Sequence, residues 1–353
     1  VTDILIARPR EASGRRARLA AVYAGLTGLL IASVLVGFNA GRFPIAPSTV
    51  TTIVLGKLLG WEASWSLLEE RIVTLARGPR IMLVTFAGAG LAIAGATMQG
   101  IFRNPLASPQ ILGVSSGAAF GGALAILIGL SGLLLIVSAF VGGVVALLLV
   151  GFIARIGGRS DTMVVILAGV VVGTFFSAMV SVTQLLADPQ TSLPAIVFWL
   201  MGSFASANWE RVAIAVPPIA IGLSLLLLMR FRINVLSLGE EEASALGIDV
   251  GRDRWIVFLL VALIVGATVA VAGVVGWVGL VVPHAARLLV GHDHRQLLPA
   301  SALLGASYLS LVDTAARTAT SIEIPLGILT AAIGAPIVAI LLRRMQRAKG
   351  MEP

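Results

Sequence analysis

The apolar residues of this chain are gathered into long runs separated by short polar stretches. A helix rises about 1.5 Å per residue, so runs of about eighteen or more can cross the roughly 30 Å hydrocarbon layer of a membrane. Read for apolar length, the sequence predicts ten spanning helices, near 19–39, 80–101, 112–129, 132–154, 162–186, 211–229, 255–274, 275–290, 298–315 and 327–343. The seventh and eighth form one run, and Gly273, Gly276 and Gly279 mark where it breaks and turns.

Composition points the same way. Of 353 residues, 58% are hydrophobic and 12% charged, where an ordinary soluble domain is about a quarter charged. Mean hydropathy is +1.01. The net charge of +8 invites a nucleic-acid reading, but the arginines sit in short clusters between apolar runs rather than on one basic face. With a cytoplasmic N-terminus, 18 of the 25 Lys and Arg residues fall on the cytoplasmic side. The other 7 are Arg42, Lys57, Arg71, Arg77, Arg80, Arg211 and Arg317. That asymmetry is the positive-inside bias, and shifting the register by one span would reverse it. Arg8, Arg10, Arg15, Arg16 and Arg18 precede a run too long for a signal peptide, so an uncleaved first span is expected. There is no cysteine, which excludes disulfides, thiolate metal sites and cysteine catalysis. The expectation is an all-α integral membrane protein, a single transmembrane domain over 1–353. It has cytoplasmic tails at 1–18 and 344–353, an external segment at 40–79 and a cytoplasmic loop at 230–254.

Many glycines lie inside the spans. Gly113, Gly117 and Gly121 repeat at four-residue spacing, as do Gly169 and Gly173, which predicts close backbone packing between helices. In the external segment, Trp61 and Trp65 are one helical turn apart, as in an amphipathic helix anchored at the membrane surface. Asn104 and Pro105 suit an N-cap and first helical position, restarting a helix after a cytoplasmic turn.

Several chemistries are missing. The 17 acidic residues fall in loops or near helix ends, whereas ion-driven transporters keep carboxylates near mid-membrane. His284, His292 and His294 lie near a cytoplasmic helix end and read as satisfied or solvated rather than as metal ligands. A Walker A loop needs Lys followed by Ser or Thr, but Lys57 precedes Leu58 and Lys349 precedes Gly350. No cofactor is expected on this chain, and any use of ATP and Mg belongs to a partner subunit.

One cytoplasmic loop carries a specified short helix. Ser237 followed by Glu240 fits a capping box, and Glu240, Glu241 and Glu242 occupy the first turn, where the helix dipole favours negative charge. Gly247 supplies a left-handed stop, and Ala243 and Leu246 are expected on one face. The residues alone leave two readings open: a capped surface helix, or a protruding element that docks into a cytoplasmic motor.

Four blocks of sequence narrow that choice: "RGPRIMLVTFAGAGLAIAGATMQGIFRNPLASPQILGVSSGA", "LGEEEASALGI", "GLVVPHAARLLVGHDHRQLLPASALLGAS" and "EIPLGILTAAIGAPIVAILL". In order and spacing, from about 70 to 345, the chain resembles the FecCD-like permeases of type II ATP-binding-cassette importers for ferric siderophores, haem and vitamin B12. The resemblance implies ten helices per subunit and a homodimer, or a heterodimer with a related permease. It further implies two cytoplasmic ABC ATPases, a periplasmic or lipid-anchored substrate-binding protein, and a bacterial inner membrane as the site. It assigns Gly239, Glu240, Ala243, Leu246 and Gly247 to ATPase coupling. It assigns Arg77, Arg80 and Arg317 to docking of the binding protein, with snorkelling at the interface as the plain alternative. Ser160, Asp161 and Thr162 resemble the cytoplasmic gate.

The expected function is thus import of an iron chelate, a ferric siderophore or haem, by alternating access. The pathway holds few ligating side chains, which suits a chelate whose metal is already satisfied better than a naked cation. Cobalamin and molybdate are alternatives within the family. Outside it stand an ion-coupled secondary transporter, which the carboxylate pattern disfavours, and an exporter-type or channel-like protein. Membrane lipid, not nucleic acid, is the expected environment.

Overall fold

Every regular element in the computed structural model is helical among the residues it describes, 9–61, 64–155 and 162–349. The order is α1 (Pro9–Asn39), α2 (Pro47–Leu59), α3 (Leu67–Arg71), a π-helical turn (Ile72–Arg77) and α4 (Gly78–Ile101). A 3-10 turn (Pro109–Leu112) leads into α5 (Val114–Leu127), α6 (Gly132–Arg155), α7 (Thr162–Leu186), α8 (Ser192–Leu200) and α9 (Trp209–Leu228). Then follow α10 (Arg230–Leu236), α11 (Glu240–Ala245), α12 (Val250–Ala272), α13 (Val278–Val290), α14 (His294–Thr318) and α15 (Leu326–Lys349).

Among the described residues, 7 helices are long and apolar enough to cross a membrane. Three shorter apolar helices, Val114–Leu127, Val278–Val290 and Leu326–Ile340, occupy the places of the third, eighth and tenth expected spans. The second begins earlier than its apolar run suggests, because α3 and the π turn continue into α4 as one rod from Leu67 to Ile101. The break between the seventh and eighth falls at Gly273, with φ 70°, and Trp277, with φ 68°.

Helices α4, α12 and α14 form the centre; α1, α6, α7 and α9 leave most of their most apolar stretches uncovered. Small residues make the central contacts possible. A Cβ on Gly95 of α4 would overlap the carbonyl of Gly279 in α13, and one on Gly117 of α5 would overlap that of Gly142 in α6. The backbones therefore touch, which gains dispersion contacts that apolar burial cannot supply in lipid. Gly121 and Gly169 pack in the same way, as expected; Gly113, with φ 69°, serves the turn before α5. Pro283 has no N–H to give the Gly279 carbonyl, and Gln99 Nε2 of α4 supplies a donor 3.3 Å away.

Two local expectations fail. Asn104 does not open a helix: its Oδ1 accepts from Leu106 N at 2.9 Å and its carbonyl from Ala107 N at 3.0 Å, closing a turn around Pro105. The side chain satisfies its own turn, and the chain becomes helical only at Pro109. Trp61 and Trp65 do not share a helix either, because α2 stops at Gly60 in the left-handed conformation. Trp61 is left exposed, while Trp65 folds over Gly56 and donates to Glu70 at 2.9 Å.

Candidate functional site

The loop between α9 and α12 folds as two short helices, α10 and then α11, and its capping differs from the expected box. The Ser237 hydroxyl donates back to the Asn234 carbonyl at 2.7 Å, ending α10, and so is not available to α11. Gly239, with φ 146°, stands at the N-cap instead, a backbone angle that a side chain would strain. Glu240, itself exposed, pairs with Arg254 of α12, whose side chain is buried. Gly247, with φ 79°, stops the helix as expected; its N–H donates to Ser244 O at 2.9 Å and that of Ile248 to Ala243 O at 3.1 Å.

Ala243 and Leu246 do not share a face. Ala243 is fully buried against Val235, Leu236, Ile248 and Val250, while Leu246 is 63% exposed. The segment is thus anchored through one residue and presents the other. Beside it lies a cavity of about 420 Å³ lined by Arg103, Gly239, Glu240, Glu241, Glu242 and Arg254, among others. Arg103, in a left-handed conformation with φ 47°, donates to the Leu238 carbonyl at 3.1 Å and ties the loop after α4 to this edge. An anchored helix with an exposed leucine and an acidic first turn can seat in a cleft of another protein and move with it.

At the other end of α4 and α14, the structure brings Arg77, Arg80 and Arg317 together. Arg77 is buried and donates to the carbonyls of Phe38 at 2.6 Å, Asn39 at 3.3 Å and Phe43 at 2.6 Å, pinning the turn after α1. Arg80 makes a bidentate pair with Asp313, at 2.8 and 2.9 Å, and reaches Glu323 at 2.6 Å. Arg317 donates to the Gly37 carbonyl and lies 3.7 Å from Asp313. These guanidinium groups bind carbonyls and carboxylates of their own chain, so snorkelling does not describe them. A cavity of about 270 Å³ opens beside them, lined also by Arg42, which is exposed. Burial pushes the Glu323 carboxyl up, but hydrogen bonds from Arg80 and Ser203 and the charges of Arg80 and Arg42 outweigh it and hold it below its ordinary range.

Ser160 and Asp161 lie outside the described residues, and Thr162 opens α7. Sequence reasoning missed Asp313, Glu323 and Arg254 as partners. One signal was present: Arg80, Asp313 and Arg317 lie at the ends of apolar runs, where opposite charges are stable only if they find each other.

Comparison with known proteins adds three findings. The profile of the FecCD transport family matches residues 29–344. The molybdate import system permease MolB of Haemophilus influenzae is 42% identical over 92% of this chain and 95% of its own, and the cobalamin import system permease BtuC of Halobacterium salinarum is 44% identical over 77% and 73%. A solved structure described as an inward-facing conformation of a transporter assigned to the metal-chelate ABC type superposes with a TM-score of 0.82, at 40% identity over 92% of this chain and 99% of that one.

Proposed function

We infer the function from the fact that this chain belongs to the FecCD transport family and is an ABC importer permease. It spans a bacterial cytoplasmic membrane ten times with both termini in the cytoplasm. Two copies stand on two ABC ATPases and take cargo from a binding protein on the outer side. ATP closes the ATPases, α11 follows them, and the pathway opens alternately to the two sides. The observation that carries this reading is α11 itself: a helix tied to the bundle by Ala243 and Glu240 that leaves Leu246 exposed.

The second copy has somewhere to sit. Helix α15 packs mainly on α13 and α14, and α7 leaves a broad face uncovered. That face of α7 carries Thr174, Ser177 and Ser181, whose hydroxyls bond back to carbonyls of their own helix at 2.8, 2.8 and 3.2 Å. Hydroxyls satisfied in this way suit a pathway that is sometimes wet and sometimes closed. Ser160 and Asp161, which precede α7 in the sequence, and Thr162, its first residue, form the cytoplasmic gate. On the outer side, acidic groups of the binding protein meet the cavity that Arg42 shares with Arg77, Arg80 and Arg317.

The cargo is a metal species whose coordination is already complete. A ferric chelate fits the small and apolar character of the spans, and the metal-chelate transporter of the same fold supports it. Molybdate is the second reading, favoured by the near-complete match to a molybdate permease. Reconstitution with the cognate ATPase and binding protein, offering a labelled ferric hydroxamate, haem, cobalamin and molybdate in turn, decides between them. Uptake that proceeds with no ATPase present would overturn the whole reading.

A further inference from the structure

Polar ties hold the α10–α11 segment to the rest of the bundle. Glu240 pairs with Arg254 of α12, Arg232 of α10 pairs with Asp253 of α12 at 3.0 Å, Arg103 holds the Leu238 carbonyl, and Asn234 of α10 reaches α14. The last differs in kind. The first N–H groups of a helix have no acceptor within it. Asp293, the N-cap of α14, accepts from Arg295 N at 3.0 Å, and the His294 N–H donates across to Asn234 Oδ1 at 2.9 Å. A backbone N–H can only donate, so the amide presents its oxygen, and His294 Nδ1 lies 3.4 Å from the same atom. The imidazole is 5% exposed and wedged against Gly100 of α4, where a Cβ would overlap Nε2. One side chain of α10 therefore caps α14 from outside that helix, and the residue it caps is clamped against α4.

Helix α14 carries this contact to the far side. Its 25 residues make a rod of about 37 Å. The opposite end bears Asp313 and Arg317 of the ion cluster. Over much of that length the helix is buried against α4, α1 and α13, and close-packed helices shift as bodies rather than stretch. We propose that Asn234 and His294 are a positioning pair that passes a displacement of the α10–α11 segment into α14 and along it to the Arg80–Asp313–Glu323 cluster. The inference rests on the importer reading above and adds the route by which one side of the membrane learns what happens at the other.

The chain has no cysteine, so with partner subunits also made cysteine-free a spin label on Ala319→Cys, an exposed position just past α14, reports the outer end alone. The complete complex with its cognate ATPase and binding protein is measured in nanodiscs with and without trapped ATP, and in liposomes with a labelled ferric hydroxamate and molybdate. Asn234→Ala is expected to keep ATP hydrolysis, lose the nucleotide-driven change at the label, and carry about tenfold less cargo per ATP. Asn234→Asp, which keeps the oxygen acceptor, is expected to restore both. If Asn234→Ala does not yield a folded complex, Asn234→Ser, whose hydroxyl is too short for the His294 N–H, is judged by the same readings. A wild-type label response and cargo per ATP in a variant lacking the acceptor overturns the pair. A native-sequence complex with neither response nor ATP-dependent uptake overturns the importer reading beneath it.

Discussion

Arg80 and Asp313, separated by 233 positions in the chain, meet as a bidentate pair with their side chains 11% and 3% exposed. Removing one partner from such a pair leaves an uncompensated buried charge, which is typically worth about 3–5 kcal/mol. Arg80 serves Glu323 as well, so Arg80→Met takes the cation from both carboxylates and is expected to destabilise the permease by about 3 kcal/mol or more, and Asp313→Leu, which leaves Arg80 its second carboxylate, by less. The double change Arg80→Met with Asp313→Leu, which removes the more buried of the two carboxylates, is expected to recover part of the Arg80→Met loss. Unfolding in detergent, followed for both single variants and the double, measures it. Losses that simply add would show that the two residues do not act as a pair.

The same cluster predicts a pH dependence. Glu323 is held below the ordinary carboxylate range despite its burial, chiefly by Arg80 and Ser203. A carboxylate with a depressed folded pKa contributes stability above its unfolded pKa and loses it as pH falls through the folded value. Wild type and Glu323→Gln should thus differ most in melting temperature near neutral pH and converge as the medium becomes more acid than the usual carboxylate range. A gap that stays constant across the titration would contradict the assignment.

At the other end, Leu246 and Ala243 are expected to separate folding from assembly. Leu246→Asp changes an exposed residue and should leave stability within about 0.5 kcal/mol, yet reduce capture of the cognate ATPase by about tenfold, a loss typical of interface anchors. Ala243→Leu forces a larger side chain into a filled site and should lower stability by about 1–3 kcal/mol. Thermal unfolding and co-purification, run on both, give the pattern; a stable Ala243→Leu together with an unstable Leu246→Asp would reverse the orientation described for α11.

Gly95→Ala tests the central helix crossing. Its new methyl would meet the Gly279 backbone, which cannot rotate away as a side chain can. The expected cost is about 3 kcal/mol, the upper part of the overpacking range. Gly25, where an added methyl would meet nothing within 4 Å, should accept the same change with little effect. Yield of monodisperse protein and its melting temperature make the comparison.

Some features were legible because their causes are local. Crossing lipid demands a long apolar run, so the helices appear in the sequence wherever such runs occur, and the break at Gly273 to Trp277 sits among the glycines that mark it. The left-handed stop at Gly247 needs only its own backbone freedom. Choices between competing partners were not legible. Ser237 could cap the helix ahead or bond back to Asn234, and it does the second. Ala243 and Leu246 looked alike until α10 and α12 covered one of them. His294 gains its meaning from Asn234, 60 positions away, and Arg80 from Asp313 and Glu323. Solvent preference and backbone conformation belong to a segment and can be read from its residues. Which donor meets which acceptor belongs to the packing of whole helices, and only the assembled bundle sets it.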